Sequence, residues 1–275
     1  SPSTLTFTDN DWDSAQTVTV TGVNDSVADG SQTTAVTIAV VDASSADAYD
    51  SVADQTVTVT TTDNETAAFT LSTTTASVSE AATTGTFTAV LGAQPPSDVV
   101  LSVTSADTGE ATVSPSTLTF TDNDWDSAQT VTVTGVNDSL VDGSQTTAVT
   151  LAVVDGSSAD AFDSLADQTV TVTTSDNDTA SITLSTTTAT VSEAGSTGTF
   201  TAVLETQPAS DVVLSVTSAD TGEATVSAST LTFTNGNWNS AQTVTVTGVD
   251  DATVDGSQVT TVTISVVDAE SNAAY

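Results

Sequence analysis

The chain contains no lysine, no arginine, no histidine, no cysteine and no methionine among its 275 residues. Each absence removes a class of function. Without Lys or Arg it cannot neutralise phosphates, so it is not a nucleic-acid binder, and it has nothing with which to dock on anionic lipid. Without Cys there are no disulfides, no thiol nucleophile and no zinc–thiolate site. Without His, the common general base and transition-metal ligand are both missing. No apolar run approaches the ~18 residues of a membrane span, and no signal-peptide pattern is visible, so membrane insertion of this segment is not expected. A sequence without any Met is expected to be a piece of something longer. What remains is acid: 36 Asp and Glu residues give a formal charge of −36. The available chemistry is that of carboxylates and of hard, oxygen-binding cations.

Such an excess of charge can signal disorder, but 37% of residues are hydrophobic. They are mostly Val, Ala and Leu interleaved with Thr, a mixture that suits half-buried strands. The order of these residues repeats. SPSTLTFTDNDWDSAQTVTVTGVNDS begins at Ser1 and again at Ser114, and a diverged copy, SASTLTFTNGNWNSAQTVTVTGVDDA, begins at Ser227, a period of 113 residues. Solenoid coils use roughly 20–45 residues, whereas one β-sandwich uses about 100, so the period counts whole domains.

Polar turn formers mark the phase. Asp176-Asn177-Asp178, with its earlier copy Asp63-Asn64-Glu65, falls between two β-runs and reads as a domain junction. A complete domain is then expected over 67–178. Residues 1–66 are expected to be the C-terminal part of a preceding repeat, and 179–275 the N-terminal part of the next one without its last strand. Within 67–178, Thr130–Thr134, Thr117–Thr121 and Thr169–Thr173 alternate Thr with Val, Leu or Phe, as strands with one buried face do. Further strands are expected at 68–72, 86–91, 98–104 and 146–153. The fold class is therefore all-β: tandem immunoglobulin-like sandwiches of about seven strands each, with no helix expected.

The three copies sort the acids. Asp122-Asn123-Asp124-Trp125-Asp126 has the look of a metal loop, yet its third copy, Asn235-Gly236-Asn237-Trp238-Asn239, has lost every carboxylate. That segment reads as a solvated turn beside a packed Trp, and Trp12, Trp125 and Trp238 read as packing anchors. Other positions keep their oxygen: Asp25, Asp138 and Asp251; Asp29, Asp142 and Asp255; Asn24, Asn137 and Asp250; Glu80 and Glu193; Asp107 and Asp220. Uncompensated like charges oppose compaction. Calcium, which takes six to eight oxygen ligands from loops, would relieve them.

The spacing of these acids resembles the Calx-β family. A strand ending in Val78-Ser79-Glu80, followed by a Gly-Thr-Phe strand, resembles the start of such a domain, and Asp107-Thr-Gly-Glu-Ala resembles its Asp-Gly-Thr-Ala turn. The run VTGVNDSLVDGSQTTAVTLAV resembles its acidic strand pair, and Asp176-Asn177-Asp178 its closing triplet. The resemblance covers the whole repeat. It implies Ca²⁺ bound at one end of a sandwich, near the next domain, by Glu80, Asp107, Asn137, Asp138, the Leu140 carbonyl, Asp142, Asp176, Asn177 and Asp178. The corresponding positions elsewhere are Asn24, Asp25, Asp29, Asp63 and Glu65 in the first copy, and Glu193, Asp220, Asp250, Asp251 and Asp255 in the third. The chain departs from the family at Gln145 and Asn137, where the family has acids, and at Asp142, where it has Glu. Fewer charges imply fewer ions or binding around the millimolar range of extracellular modules.

Tandem acidic sandwiches with near-identical copies look like the extender region of a giant bacterial surface adhesin or filament, an extracellular location. The expected partners are neighbouring repeats of the same chain, and other chains associating laterally through divalent cations. Three other readings can be set beside this one. A carboxylate-pair glycosidase would need a cleft that a sandwich does not supply, so no enzyme is expected. The repeats could themselves adhere to surfaces or glycans. The Thr-x-Thr rows could face ice, although every Thr/Val strand of a sandwich carries such rows.

Overall fold

The computed structural model describes residues 3–275. In chain order, β1 (Gln32–Ile38) and β2 (Gln55–Thr61) form an antiparallel pair. The next ten strands are β3 (Phe69–Leu71), β4 (Thr75–Ser79), β5 (Thr84–Leu91), β6 (Val99–Ser105), β7 (Ala111–Ser114), β8 (Thr117–Phe120), β9 (Gln129–Gly135), β10 (Leu140–Val141), β11 (Gln145–Val153) and β12 (Gln168–Ser175). The last eight are β13 (Ile182–Leu184), β14 (Thr197–Leu204), β15 (Gln207–Pro208), β16 (Val212–Ser218), β17 (Ala224–Val226), β18 (Thr230–Phe233), β19 (Gln242–Gly248) and β20 (Val262–Val266). The chain is all-β. Among the described residues the helical content is four short 3-10 turns, such as Asp155–Ser157, where the sequence led us to expect none. No helix among the described residues is long and apolar enough to cross a membrane.

The alternation in the sequence is what builds the middle sandwich. One sheet has the order β3-β5-β9-β7 and the other β4-β12-β11-β6-β8. In β9 the valines Val131 and Val133 turn inward and are fully buried, while the alternating threonines Thr130, Thr132 and Thr134 lie on the other, more exposed face. Phe87, Ala89 and Leu91 of β5 lie on the same inner face. Across from them stand Leu101, Val103, Phe120, Val149, Leu151, Val170 and Val172 of the second sheet, in one continuous core. Each fully buried Val, Leu or Phe contributes about 1.5–3 kcal/mol, so the core rests on modest side chains in large number. The sandwich has nine paired strands rather than about seven. Beyond the strands marked by alternation are β4, where the resemblance implies a strand ending in Val78-Ser79-Glu80, and β7; each is a short run of Ala, Ser, Thr and one Val that carries little hydrophobic signal.

Copies of these strands recur in the third unit, where β13-β14-β19-β17 faces β18-β16-β20 over a second core containing Phe200, Leu214, Phe233 and Val244. Trp125 and Trp238 pack against the middle and third cores. Trp12 does not: it is 71% exposed. The backbone carbonyl of Trp125 accepts from Leu91 at the end of β5, and residues 3–66 contain no copy of β5.

Successive units are joined by backbone pairing. The two residues of β10 run parallel to β15, with Leu140 opposite Gln207 and Val141 opposite Pro208. The Gln207 N–H donates to the Ser139 carbonyl at 2.9 Å. One period earlier, Val27 bridges to Gln94, the Ala28 N–H donates to the Gln94 carbonyl (2.9 Å) and the Gln94 N–H to the Ser26 carbonyl (3.1 Å). Ala28, 2% exposed, is part of the core of the following sandwich.

Candidate metal centre

Four segments converge at the end of the middle sandwich from which β10 projects. Glu80 follows β4, and Asp176–Asp178 follow β12. Because β4 and β12 run parallel in register up to Ser79 opposite Ser175, they deliver these acids side by side. The Glu80 N–H donates to the Ser175 carbonyl at 3.1 Å. Asp107 and Glu110 lie in the β6–β7 turn, and the β9–β11 connection brings Asn137, Asp138 and Asp142. The Val136 N–H donates to the Glu110 carbonyl, tying those two loops together (2.9 Å).

Two glycines fix the geometry. A Cβ at Gly135 would run into the Ser79 carbonyl, so glycine at the end of β9 is what lets the chain before Glu80 approach. Gly143 has φ +74°, a left-handed turn that directs its N–H at Asp176. The Oδ2 of Asp176 accepts from Gly143 (2.8 Å) and Asp142 (3.1 Å), and its Oδ1 from Asp178 (2.6 Å). Asp176 is thus a fastener as well as a charge.

Among the described residues, carboxylate oxygens of Glu80, Asp176 and Asp178 all lie within 4.8 Å of one another. Glu80 is only 2% exposed, and its Oε2 accepts a single backbone N–H, from Asn177, at 3.2 Å. The Oδ2 of Asp178 and the Oδ1 of Asp142 are buried with no partner. Burial pushes the Glu80 carboxyl above its ordinary range, the Asn177 N–H pulls it back, and the charges of Asp176, Asp138 and Asp178 raise it further. Asp178 is raised by burial, then by Asp176 and Asp138. No basic side chain exists in the chain to compensate.

The remaining expected ligands are placed less tightly. Asp107 is exposed, and its Oδ1 closes a turn onto the Gly109 N–H (2.8 Å). The Oδ1 of Asp138 accepts from the Leu140 N–H at 2.7 Å, and Asn137 pairs with the Asn177 amide at 2.8 Å. Leu140 is engaged in β10. In the first unit, Asn24, Asp25, Asp29, Asp63 and Glu65 line one cleft of about 150 Å³. There Asp63 takes the Gly30 N–H (2.7 Å), as Asp176 takes that of Gly143. In the third unit, Asp251 and Asp255 come together with Glu223 within 4.8 Å, while Glu193, Asp220 and Asp250 are exposed.

Glu223 and its copy Glu110 were not among the sequence-based candidates. Glu110 has a buried Oε2 without a partner, and its carboxyl is raised by burial and then by Asp142, Asp138, Asp107 and Asp176. The signal was available: Glu110 and Glu223 occupy the same position one period apart. Asp163, in the β11–β12 connection, also has a buried unpartnered Oδ1 and was not singled out by the sequence. Asp124, set aside on sequence grounds, accepts from the Thr121 N–H (2.6 Å) and hydroxyl (2.8 Å), and Asn237 takes the Thr234 N–H in the same way (2.6 Å). What that turn requires is an acceptor and not a charge, which is why Asn replaces Asp there.

No family model matches the chain, and no curated protein matches it. Solved structures do. The chain is similar to domains 4 and 5 of the S-layer protein SbsC (23% identity, TM-score 0.30), over 46% of this chain and 54% of that one, so it spans about half the length of that structure. It is similar to the calcium-binding domain CBD12 of CALX1.1 (13% identity, TM-score 0.32), over 67% of this chain and 77% of that one. It is also similar to the E. coli chaperone DraB (8% identity, TM-score 0.31), over 69% and 89%. Overlaps this loose leave the fold assignment to the sheets described above: an all-β chain of sandwich units with acidic ends.

Proposed function

We propose that the chain is a spacer in a large extracellular bacterial surface protein, and that Ca²⁺ held at the acidic ends of its sandwiches stiffens the joints between repeats. The observation that carries this reading is the set of buried, unpartnered carboxylate oxygens on Asp142, beside β10, on Asp178, after β12, and on Glu110, in the β6–β7 turn, at that end of the sandwich. Burying a charge without a counter-charge is costly. A hard divalent cation with oxygen ligands is the group such a donor set fits, whereas zinc prefers the nitrogen and sulfur ligands this chain lacks. In the middle sandwich Glu80, Asp176 and Asp178 would hold one ion, with Asp138 beside them. Glu110 and Asp142 would serve a neighbouring position that shares Asp138, the counterpart of Glu223, Asp251 and Asp255. Bound there, the cation supplies charge neutralisation, not reaction chemistry, and no catalytic role is proposed.

The mechanical consequence follows from the position of the loop. Asp138 orients Leu140, and Asp176 grips Asp142 and Gly143, so the acids hold the two residues that pair with the next unit. With the acids charged and unbridged, mutual repulsion loosens that grip; with them bridged, the loop and the β10–β15 pairing are fixed together. Small-angle scattering of the 275-residue chain tests this. Added Ca²⁺ should narrow the distribution of inter-unit distances and raise the maximum dimension. Identical profiles in Ca²⁺ and in chelator would sink the proposal.

A further inference from the structure

A three-residue segment occupies corresponding positions in the three repeats, and in two of them it is a plug. Ser26-Val27-Ala28 and Ser139-Leu140-Val141 each lie in the acidic end of one unit and dock on the following one. The receiving element is also the same in both: Gln94-Pro95 and Gln207-Pro208, whose prolines are buried. Docking takes the apolar third residue out of water, leaving Ala28 2% and Val141 6% exposed. Around Val141 the receiving surface includes Ala209, Ser210 and Asn272–Ala274, which line a cleft with it. The third copy, Ala252-Thr253-Val254, has the same apolar residue on the same Asp-to-Gly turn, with Asp251 accepting from the Thr253 N–H at 2.7 Å as Asp138 does from Leu140. Yet Val254 is completely exposed.

We infer that Val254, with the backbone of Ala252–Val254, is an interaction surface whose partner is the Gln-Pro edge of a further repeat of this type. The Ala252 carbonyl would accept from the glutamine N–H of that edge, as the Ser139 carbonyl accepts from Gln207 and the Ser26 carbonyl from Gln94. Val254 would cover its proline, as Val141 lies opposite Pro208. Specificity comes from pairing by backbone plus one small apolar plug: a bulky or charged residue at Ala28, Val141 or Val254 would hold the two backbones apart. The inference stands on the geometry of the two formed joints and not on cation binding.

The absence of cysteine provides a direct test. Val254→Cys and, separately, Val141→Cys are introduced into the 275-residue chain, and Val254→Cys also into the same chain extended by one period through repetition of residues 163–275. Maleimide labelling is followed in Ca²⁺ and in chelator, and amide exchange of the added strands confirms that they are folded. In the 275-residue chain Cys at 254 should label as a free thiol and Cys at 141 at least about tenfold more slowly, the signature of a site that must open before it reacts. In the extended chain Cys at 254 should slow to the rate seen at 141. Equal reactivity at 254 in both chains, in Ca²⁺ and in chelator alike, would overturn the inference. So would protection at 254 in the unextended chain that grows with protein concentration, which would assign the surface to a second copy instead.

Discussion

Replacing Glu80 by Gln should have opposite effects with and without a divalent cation. The side chain is buried, and its carboxylate lies within 4.8 Å of those of Asp176 and Asp178. At that separation, with an effective dielectric near 20, each like-charge pair repels by about 3 kcal/mol. Asp176 and Asp178 keep partial access to water, so screening reduces the net gain from removing one charge to about 1–2 kcal/mol. Glutamine is isosteric and retains an oxygen for the Asn177 N–H, so packing is preserved. In chelator the variant should therefore unfold about 4–15 °C higher than the parent. In Ca²⁺ the order should reverse, because a site with one carboxylate fewer binds the ion more weakly. Saturation at about 100-fold over Kd is worth about 2.7 kcal/mol to the parent, and most of that should be lost. Calorimetric melts of both chains in both buffers read all four values. A Glu80→Gln chain that is less stable in chelator, or that keeps the full response to Ca²⁺, would refute the electrostatic account of the cluster.

Three further outcomes are expected. Because the carboxyls of Glu80, Glu110 and Asp178 are raised in the fold, the folded state holds protons more tightly than the unfolded chain. Stability in chelator should thus rise as pH falls from 7 toward about 5, before the loss of the lowered Asp63 and Asp124 reverses the trend in stronger acid, and Ca²⁺ should flatten the rise; melts across pH measure it. Gly135→Ala should destabilise the middle sandwich by about 2 kcal/mol or more and weaken its response to Ca²⁺, since the Ser79 backbone ahead of Glu80 must retreat; a change under about 0.5 kcal/mol in denaturant melts would contradict it. Phe87→Ala, at a site 1% exposed, should cost about 3–5 kcal/mol in the middle sandwich and leave the unfolding of the third unchanged.

The strands that could be read from the sequence are those whose burial is set locally. β9 and β12 alternate Thr with Val because one face meets the core and the other meets water. β4 and β7 carry one Val each among Ala, Ser and Thr, so their alternation does not separate them from a loop, and β4 was legible only through the resemblance that implies a strand ending in Val78-Ser79-Glu80. β10 could not have been found locally at all, because its two residues become a strand only by pairing with Gln207 and Pro208 of the next unit. The acids divide in the same way. Glu80, Asp176 and Asp178 follow strands that run parallel, and the motif order was enough to select them. Glu110 was hidden in the turn read for Asp107, although it is Glu110 that has the buried, unpartnered oxygen.

The central claim, that the acidic ends bind a specific cation, is tested most directly by the melting temperature of the 275-residue chain in millimolar Ca²⁺, in EDTA, and in NaCl or Mg²⁺ at matched ionic strength. The account predicts a large upward shift with Ca²⁺ and only small ones with the other salts, since a specific ligand stabilises through occupancy and screening salt does not. Equal shifts in all the salts would contradict it, because diffuse screening of a −36 surface would then explain the whole response.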